Sequence, residues 1–250
     1  MDRAAKVLIR FKNLAERHGA SDIRAVATGV LREAGNKMVF QEKMRKDADI
    51  SVTIISGEEE AGLMARGVLS DLNAIPEQAL IFDLGGGSTE FVFTRGEKVG
   101  RLLSLPLGVV TLTERFLLSN PPSLSEQQQV KDCVLNILKE KLSESGNINV
   151  LIGTAGTVTT LAAISASLKE YDPAVINGMR LTRDRLKQQA ETLFSLNLDQ
   201  RRRLTGLEEG RADLICAGIL VVLEIMDHFS QDCLWVSDSG LLEGIILSKV

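Results

Sequence analysis

An α/β fold follows from three features of the chain. Its first third alternates helix-period and strand-period stretches, its middle carries three successive strands around a glycine turn, and the rest returns to helix–strand alternation. With 250 residues, 44% of them hydrophobic, the chain can bury a substantial core as one large domain or two small ones.

Ala4, Leu8, Phe11, Leu14 and Ala15 recur at helical spacing up to Gly19, so the chain opens on an amphipathic helix whose stripe needs a sheet to cover. Residues 23–27 read as a short strand. Thr28 stands at the N-cap of a second helix, with Arg32 in its first turns. A polar helix around residues 42–46 leads to a strand at 52–55, the alternation of parallel α/β units. A helix from about Glu58 precedes a hairpin turning at residues 85–88, and a third antiparallel strand follows near 101–105.

Helices come after this meander. Pro121-Pro122 breaks the chain before a helix that Ser123 or Ser125 caps and that runs to about Leu142. Residues 150–152 form a strand entering the glycine turn Gly153-Thr154-Ala155-Gly156-Thr157, and a helix follows. Amphipathic stretches occupy 182–196 and 212–229, the last strand is 234–236, and Ser237-Asp238-Ser239-Gly240 opens a closing helix.

Bulk properties exclude several function classes. A net charge of −4 gives no global field for nucleic acid, so an anionic ligand must be held locally. Arg201-Arg202-Arg203 is either a solvated helix face or a local contributor. The N-terminus shows no secretory h-region, and no stretch is long and apolar enough to span a membrane. Cys133, Cys216 and Cys233 are odd in number with no C-x-x-C pair, which argues against a disulfide framework and fits a reducing cytoplasm. His18 and His228 are the only histidines, too few for a histidine-rich metal site.

The chemistry concentrates in Asp83-Leu84-Gly85-Gly86-Gly87-Ser88-Thr89-Glu90. Glycines let backbone N–H groups turn onto an anion, and Ser88 and Thr89 add neutral donors. Asp83, at the strand end, is placed to hold a hydrated divalent cation beside phosphates. The bland reading is a flexible turn with a solvated aspartate. A strand rather than a helix follows the glycines, which argues against a dinucleotide fold.

The order of a three-stranded meander and then helix–strand–helix–strand–helix resembles the actin-like, acetate and sugar kinase and chaperone ATPase superfamily, a ribonuclease H-like two-domain fold. Further motifs sharpen this. Ala27-Thr28-Gly29-Val30-Leu31-Arg32-Glu33-Ala34, Ile55-Ser56-Gly57-Glu58-Glu59-Glu60-Ala61, the 83–90 cradle, Gly153–Thr157, Glu209-Gly210-Arg211-Ala212-Asp213 and Val236–Gly244 appear in the order of the exopolyphosphatase/guanosine pentaphosphate phosphatase (Ppx/GppA) family. The chain resembles that family over nearly its whole length.

The resemblance implies Mg²⁺-dependent hydrolysis of terminal phosphoanhydrides, of polyphosphate or of guanosine pentaphosphate, and a possible homodimer. It implies a first-domain remnant at 1–56, a second domain at 57–240 and a closing helix at 241–250 packing back on the first. Glu60 corresponds to the family's catalytic glutamate. Independently, Ser56 and Glu59 fit an S-x-x-E capping box that turns Glu59 back and leaves Glu60 free, although all three glutamates also suit a helix first turn. Asp83 and Glu90 are assigned to Mg²⁺, Glu90 being alternatively an outward-facing strand residue. Gly85, Gly86, Gly87, Ser88 and Thr89 would wrap the phosphate, and Arg32 and Arg211 match arginines near the phosphate chain or are solvated helix arginines. The family's first phosphate loop, before the opening helix, has no counterpart here. That departure raises the alternative of a non-catalytic polyphosphate- or nucleotide-binding module; a kinase of the same fold is a third reading.

Overall fold

A computed structural model describes residues 1–72, 76–142 and 148–248. The chain divides into two units, Met1–Glu60 and Ala61–Val250.

The first unit contains α1 (Asp2–Arg17), β1 (Ala25–Ala27), α2 (Gly29–Glu33), α3 (Lys37–Ala48) and β2 (Val52–Ile54). β1 and β2 pair in parallel, Ala25 opposite Val52 and Ala27 opposite Ile54, as the helix–strand alternation implied. Ala5, Met44, Ala48, Ile50 and Val52 form its small core, with Ala4 and Leu8 of α1 packed against it. Farther along the α1 stripe, Phe11 is 60% and Leu14 50% exposed. Lys12 pins α1 to the end of α3 through a 2.6 Å ion pair with Asp49.

α4 (Gly57–Ser70) begins in the first unit and continues into the second. There follow β3 (Gln78–Leu84), β4 (Thr89–Arg95), β5 (Lys98–Leu105), α5 (Val109–Phe116), α6 (Leu124–Leu142), β6 (Val150–Thr154) and α7 (Ala155–Ser165). The chain goes on through α8 (Pro173–Ile176), β7 (Arg180–Thr182), α9 (Arg183–Ser195), α10 (Leu198–Arg201), a 3-10 turn at Glu209–Arg211, α11 (Ile215–His228), β8 (Cys233–Val236) and α12 (Leu241–Leu247). The six strands form one sheet in the order β5-β4-β3-β6-β8-β7. The meander is antiparallel, β6 and β8 add in parallel, and β7 closes the far edge antiparallel.

β3 is buried on both faces, and its period of two sorts its residues. Leu80, Phe82 and Leu84 enter the large core with Leu151, Val158 and Leu234. Ala79 and Ile81 face the other way, against Ala61, Met64, Ala65 and Val68 of α4. Central to the large core is α11, expected to be amphipathic but buried nearly all round from Ile215 to Met226. No helix of the described residues is long and apolar enough to cross a membrane.

The units part within the first turns of α4, at Glu60/Ala61 rather than at 56/57. Within the second unit, a Cβ added at Gly244 of α12 would lie 1.8 Å from the Leu63 carbonyl oxygen of α4.

Candidate active site

The parallel strands β3, β6 and β8 end at the same edge of the second-unit sheet, where open α/β sheets place their ligands. After β3 comes the turn 85–88. The Gly85 N–H donates to the Ser88 carbonyl at 3.0 Å and closes the turn, so it is not a phosphate donor. The Gly85 carbonyl accepts from Val109 N at 3.0 Å and the Gly86 carbonyl from Val110 N at 2.9 Å. The first turn of α5 thus draws the carbonyls backward, while the N–H groups of Gly86, Gly87 and Ser88 make no hydrogen bond among the described residues. A backbone with carbonyls tied back and amides open is what an anion cradle requires.

None of the three glycines has a positive φ. A Cβ at Gly87 would meet nothing within 4 Å, so neither conformation nor packing within the chain demands glycine there. Gly108 supplies the close fit: its added Cβ would lie 2.2 Å from the Gly86 oxygen and 2.3 Å from Gly87 Cα, so only glycine lets the backbone before α5 support the turn.

Thr89 was expected to wrap the phosphate. It is instead fully buried, and its hydroxyl donates to the Leu107 carbonyl at 2.6 Å, fastening the cradle to the segment behind it. Asp83 and Glu90 face one another across the β3–β4 pair, on the sheet face of Ile81 and Val92. Glu90 is 4% exposed, which rules out an outward-facing strand residue, and its Oε1 accepts from Ser88 Oγ at 2.6 Å and Ser104 Oγ at 2.8 Å.

One strand over, β6 runs directly into α7, because Ala155 adopts φ +70°, a left-handed conformation unfavourable for a residue with a Cβ. Thr154 does not cap this helix; its hydroxyl donates to the Ser239 carbonyl at 2.9 Å. Thr154 is the register neighbour of Asp83, so the α7 N-terminus lies beside the cradle. Arg211 crosses it: a Cβ on Gly156 would fall 2.0 Å from the Arg211 Nη1. Its Nε donates to Glu208 Oε2 at 2.8 Å, and its two terminal nitrogens make no hydrogen bond among the described residues.

In the first unit, the expected capping box forms. The Ser56 N–H donates to Glu59 Oε2 at 2.8 Å and the Glu59 N–H to Ser56 Oγ at 3.1 Å. The Ser56 backbone bond, more than its hydroxyl, holds the Glu59 carboxyl below the usual range. Glu60 is thereby separated from Glu59 in role. Its Oε2 accepts from Arg32 Nη1 at 2.9 Å, and the same nitrogen donates to the Ile55 carbonyl at 3.2 Å. Arg32 is therefore the partner of the candidate base rather than a solvated helix arginine.

The arginine run divides. Arg202 pairs with Asp199 at 2.9 Å on the surface, but Arg201 is 4% exposed and donates to Cys216 Sγ at 2.8 Å, so it is neither a solvated face nor accessible to a ligand. Burial, the larger effect, pushes the Cys216 thiol up to about 11 against the guanidinium's opposite pull. Sequence reasoning missed the support supplied by Leu107, Gly108 and the α5 N-terminus; a glycine at an N-cap after Pro106 was the available signal.

Comparisons with known proteins place the chain in a family. A model of the Ppx/GppA phosphatase family matches residues 1–250. Exopolyphosphatase 2 of Mycobacterium tuberculosis is 33% identical over 264 residues, covering 98% of this chain and 80% of that protein. The bifunctional 3-dehydroquinate synthase/phosphatase of Fusobacterium nucleatum subsp. nucleatum is 32% identical over 257 residues; the match covers all of this chain and 38% of that longer protein. The crystal structure of the Aquifex aeolicus Ppx/GppA family member superposes with a TM-score of 0.86 at 33% identity, over 98% of this chain and 79% of that one. With that sheet order, that cradle and a family match from end to end, the chain belongs to the Ppx/GppA phosphatase family and has its actin-like fold.

Proposed function

We propose that this chain is an exopolyphosphatase, hydrolysing the terminal phosphoanhydride of inorganic polyphosphate. The observation that carries the reading is the Gly86–Ser88 cradle, its carbonyls tied to α5 and its amides open beside the Asp83–Glu90 carboxylate pair. Phosphoryl transfer asks a protein for positioning and charge neutralisation more than for covalent chemistry.

In this reading the amides of Gly86, Gly87 and Ser88 hold oxygens of the terminal phosphoryl group. Glu60 orients the attacking water and takes its proton, while Arg32 fixes the carboxylate through Oε2 and leaves Oε1 to accept. The water oxygen bonds to phosphorus as the anhydride bond breaks, and the shortened chain departs as a phosphate that needs little acid assistance. Arg211, spread over Gly156, holds the outer phosphates together with the α7 N-terminus.

The Asp83–Glu90 pair suits Mg²⁺: both are hard oxygen donors at facing positions of the β3–β4 ladder. Mg²⁺ is usually held by one or two carboxylates, waters and substrate phosphates rather than a closed protein cage. When bound, it would neutralise charge on the phosphate oxygens. Polyphosphate is preferred to guanosine pentaphosphate because the matched Mycobacterium tuberculosis relative is named an exopolyphosphatase. The three cysteines are free thiols, in keeping with a reducing cytoplasm.

The test is phosphate release from medium-chain polyphosphate and from guanosine pentaphosphate, with Mg²⁺ or with chelator, for the wild type and Asp83→Asn. Release from polyphosphate that needs Mg²⁺ and falls in Asp83→Asn supports the reading. Folded protein that binds polyphosphate without releasing phosphate overturns it in favour of a binding module, and preference for guanosine pentaphosphate overturns the substrate assignment.

A further inference from the structure

We propose that Ser104 is a positioning residue for Glu90: from the neighbouring strand it fixes the carboxylate that, with Asp83, would hold Mg²⁺, a role that rests on the reading of the Asp83–Glu90 pair as the metal site. All of these groups lie in the second unit.

Four strand ends line up in one row. Ser104 of β5 is the register partner of Glu90 of β4, Glu90 of Asp83 of β3, and Asp83 of Thr154 of β6. Directly opposite residues share a face of the sheet, so the row continues the face on which Val92 and Leu102 pack with Ala65 and Val68 of α4.

Hydrogen bonds follow this row. Glu90 is 4% exposed, and a buried carboxylate is costly unless it is hydrogen-bonded. Its Oε1 accepts from Ser104 Oγ at 2.8 Å and from Ser88 Oγ at 2.6 Å, one hydroxyl from the neighbouring strand and one from the phosphate turn. Ser88 thereby commits its hydroxyl proton to Glu90 and offers a phosphate its backbone N–H instead. Two donors on one oxygen restrict the rotamers of a long side chain, and with them the direction of the whole carboxylate.

The Ser104 hydroxyl is carried on a fixed strand end. The β4–β5 ladder is regular from Thr89 opposite Leu105 to Val92 opposite Leu102, and its register shift lies farther from the site, between Val92 and Thr94. Just past Ser104, the Leu107 carbonyl accepts from Thr89 Oγ1 at 2.6 Å and Gly108 packs on Gly86 and Gly87. The end of β5 thus ties β4 through Thr89 on the core face and through Glu90 on the other. Ser104 itself is exposed, so it fills no part of the core. Groups that hydrogen-bond a ligating carboxylate orient it, and their loss lowers metal affinity or activity by about 10–100-fold.

The experiment measures Mn²⁺ binding to the free protein by electron paramagnetic resonance, with Mn²⁺ as the probe for Mg²⁺, and the Mg²⁺ dependence of phosphate release from polyphosphate, for wild type, Ser104→Ala, Ser104→Thr and Asp83→Asn. Ser104→Ala should weaken Mn²⁺ binding by roughly 10–100-fold and raise the half-saturating Mg²⁺ concentration in step, while saturating Mg²⁺ restores most of kcat. Ser104→Thr, which keeps the hydroxyl and suits a strand, should restore Mn²⁺ binding. Wild-type Mn²⁺ affinity in Ser104→Ala, even beside a lowered melting temperature in chelator, overturns the inference and leaves Ser104 a stability contact alone. Equal weakening in Ser104→Ala and Ser104→Thr overturns the hydroxyl as the cause. Wild-type protein that binds no Mn²⁺, or Asp83→Asn that binds it as tightly as wild type, instead refutes the Asp83–Glu90 pair as the metal site, and the inference with it.

Discussion

Gly108→Ala isolates the support behind the cradle. The backbone of Gly108, at φ −93° and ψ 141°, is open to alanine, so the substitution adds no conformational strain and acts through one methyl group. That methyl would stand 2.2 Å from the Gly86 oxygen and 2.3 Å from Gly87 C and Cα, all backbone atoms. Ordinary carbon contacts lie near 3.5 Å, so the turn must retreat by about 1 Å. The retreat strains the bonds from Val109 N to the Gly85 carbonyl and from Val110 N to the Gly86 carbonyl. Overpacking of this kind destabilises by about 1–3 kcal/mol. A shift of about 1 Å in the phosphate-binding amides lowers kcat/KM by up to about 10²-fold. Urea unfolding and phosphate release on the same preparation read the two effects separately. Release within twofold of wild type in Gly108→Ala would refute the claim that this contact sets the cradle.

Gly156→Ala should displace the Arg211 guanidinium, which occupies the place of the new methyl group, and weaken polyphosphate binding by roughly 10–100-fold, the worth of a charge-assisted pair. Titration of binding checks it, with a melting temperature close to wild type because the displaced group is a flexible side chain. Glu126→Gln should destabilise by about 1 kcal/mol, as for loss of a cap, because the carboxylate closes a box with Ser123 and also receives Ser119. The effect has a definite pH window. The Ser119 hydroxyl above all, then the Ser123 N–H, hold the Glu126 carboxyl down to about 2 from 4.5. With the folded-state value below the unfolded one, the contribution is full above about pH 4.5 and lost as pH falls towards 2. The difference between wild type and Glu126→Gln in urea titrations should therefore shrink below pH 4.5.

Features with local causes were legible in the sequence. The β3–β4 hairpin shows as alternating apolar residues around consecutive glycines, and the Ser56–Glu59 box as a four-residue pattern, because turn chemistry and capping depend on near neighbours. α5 was not marked, since Val109-Val110-Thr111 is β-branched and follows Pro106 and Gly108, so propensity argued for a loop until packing decided otherwise. β7 is three residues long, too short to show a period. Thr89 and Ser88 look equivalent as hydroxyls, yet Ser88 ends the turn while Thr89 opens β4, and only the pairing register shows that the Thr89 side chain is buried. The burial of Arg201 against Cys216 depends on how α10 meets α11, a tertiary fact that a run of three arginines conceals.

Glu60 is the proposed base of this phosphoanhydride hydrolase. Its most direct test is Mg²⁺-dependent phosphate release from medium-chain polyphosphate by Glu60→Gln against wild type, with polyphosphate binding measured on both. Glutamine keeps an oxygen for Arg32 but cannot accept the water's proton, so turnover should fall by about 10²–10⁴-fold while binding persists. Turnover by Glu60→Gln within a few-fold of wild type would contradict the account.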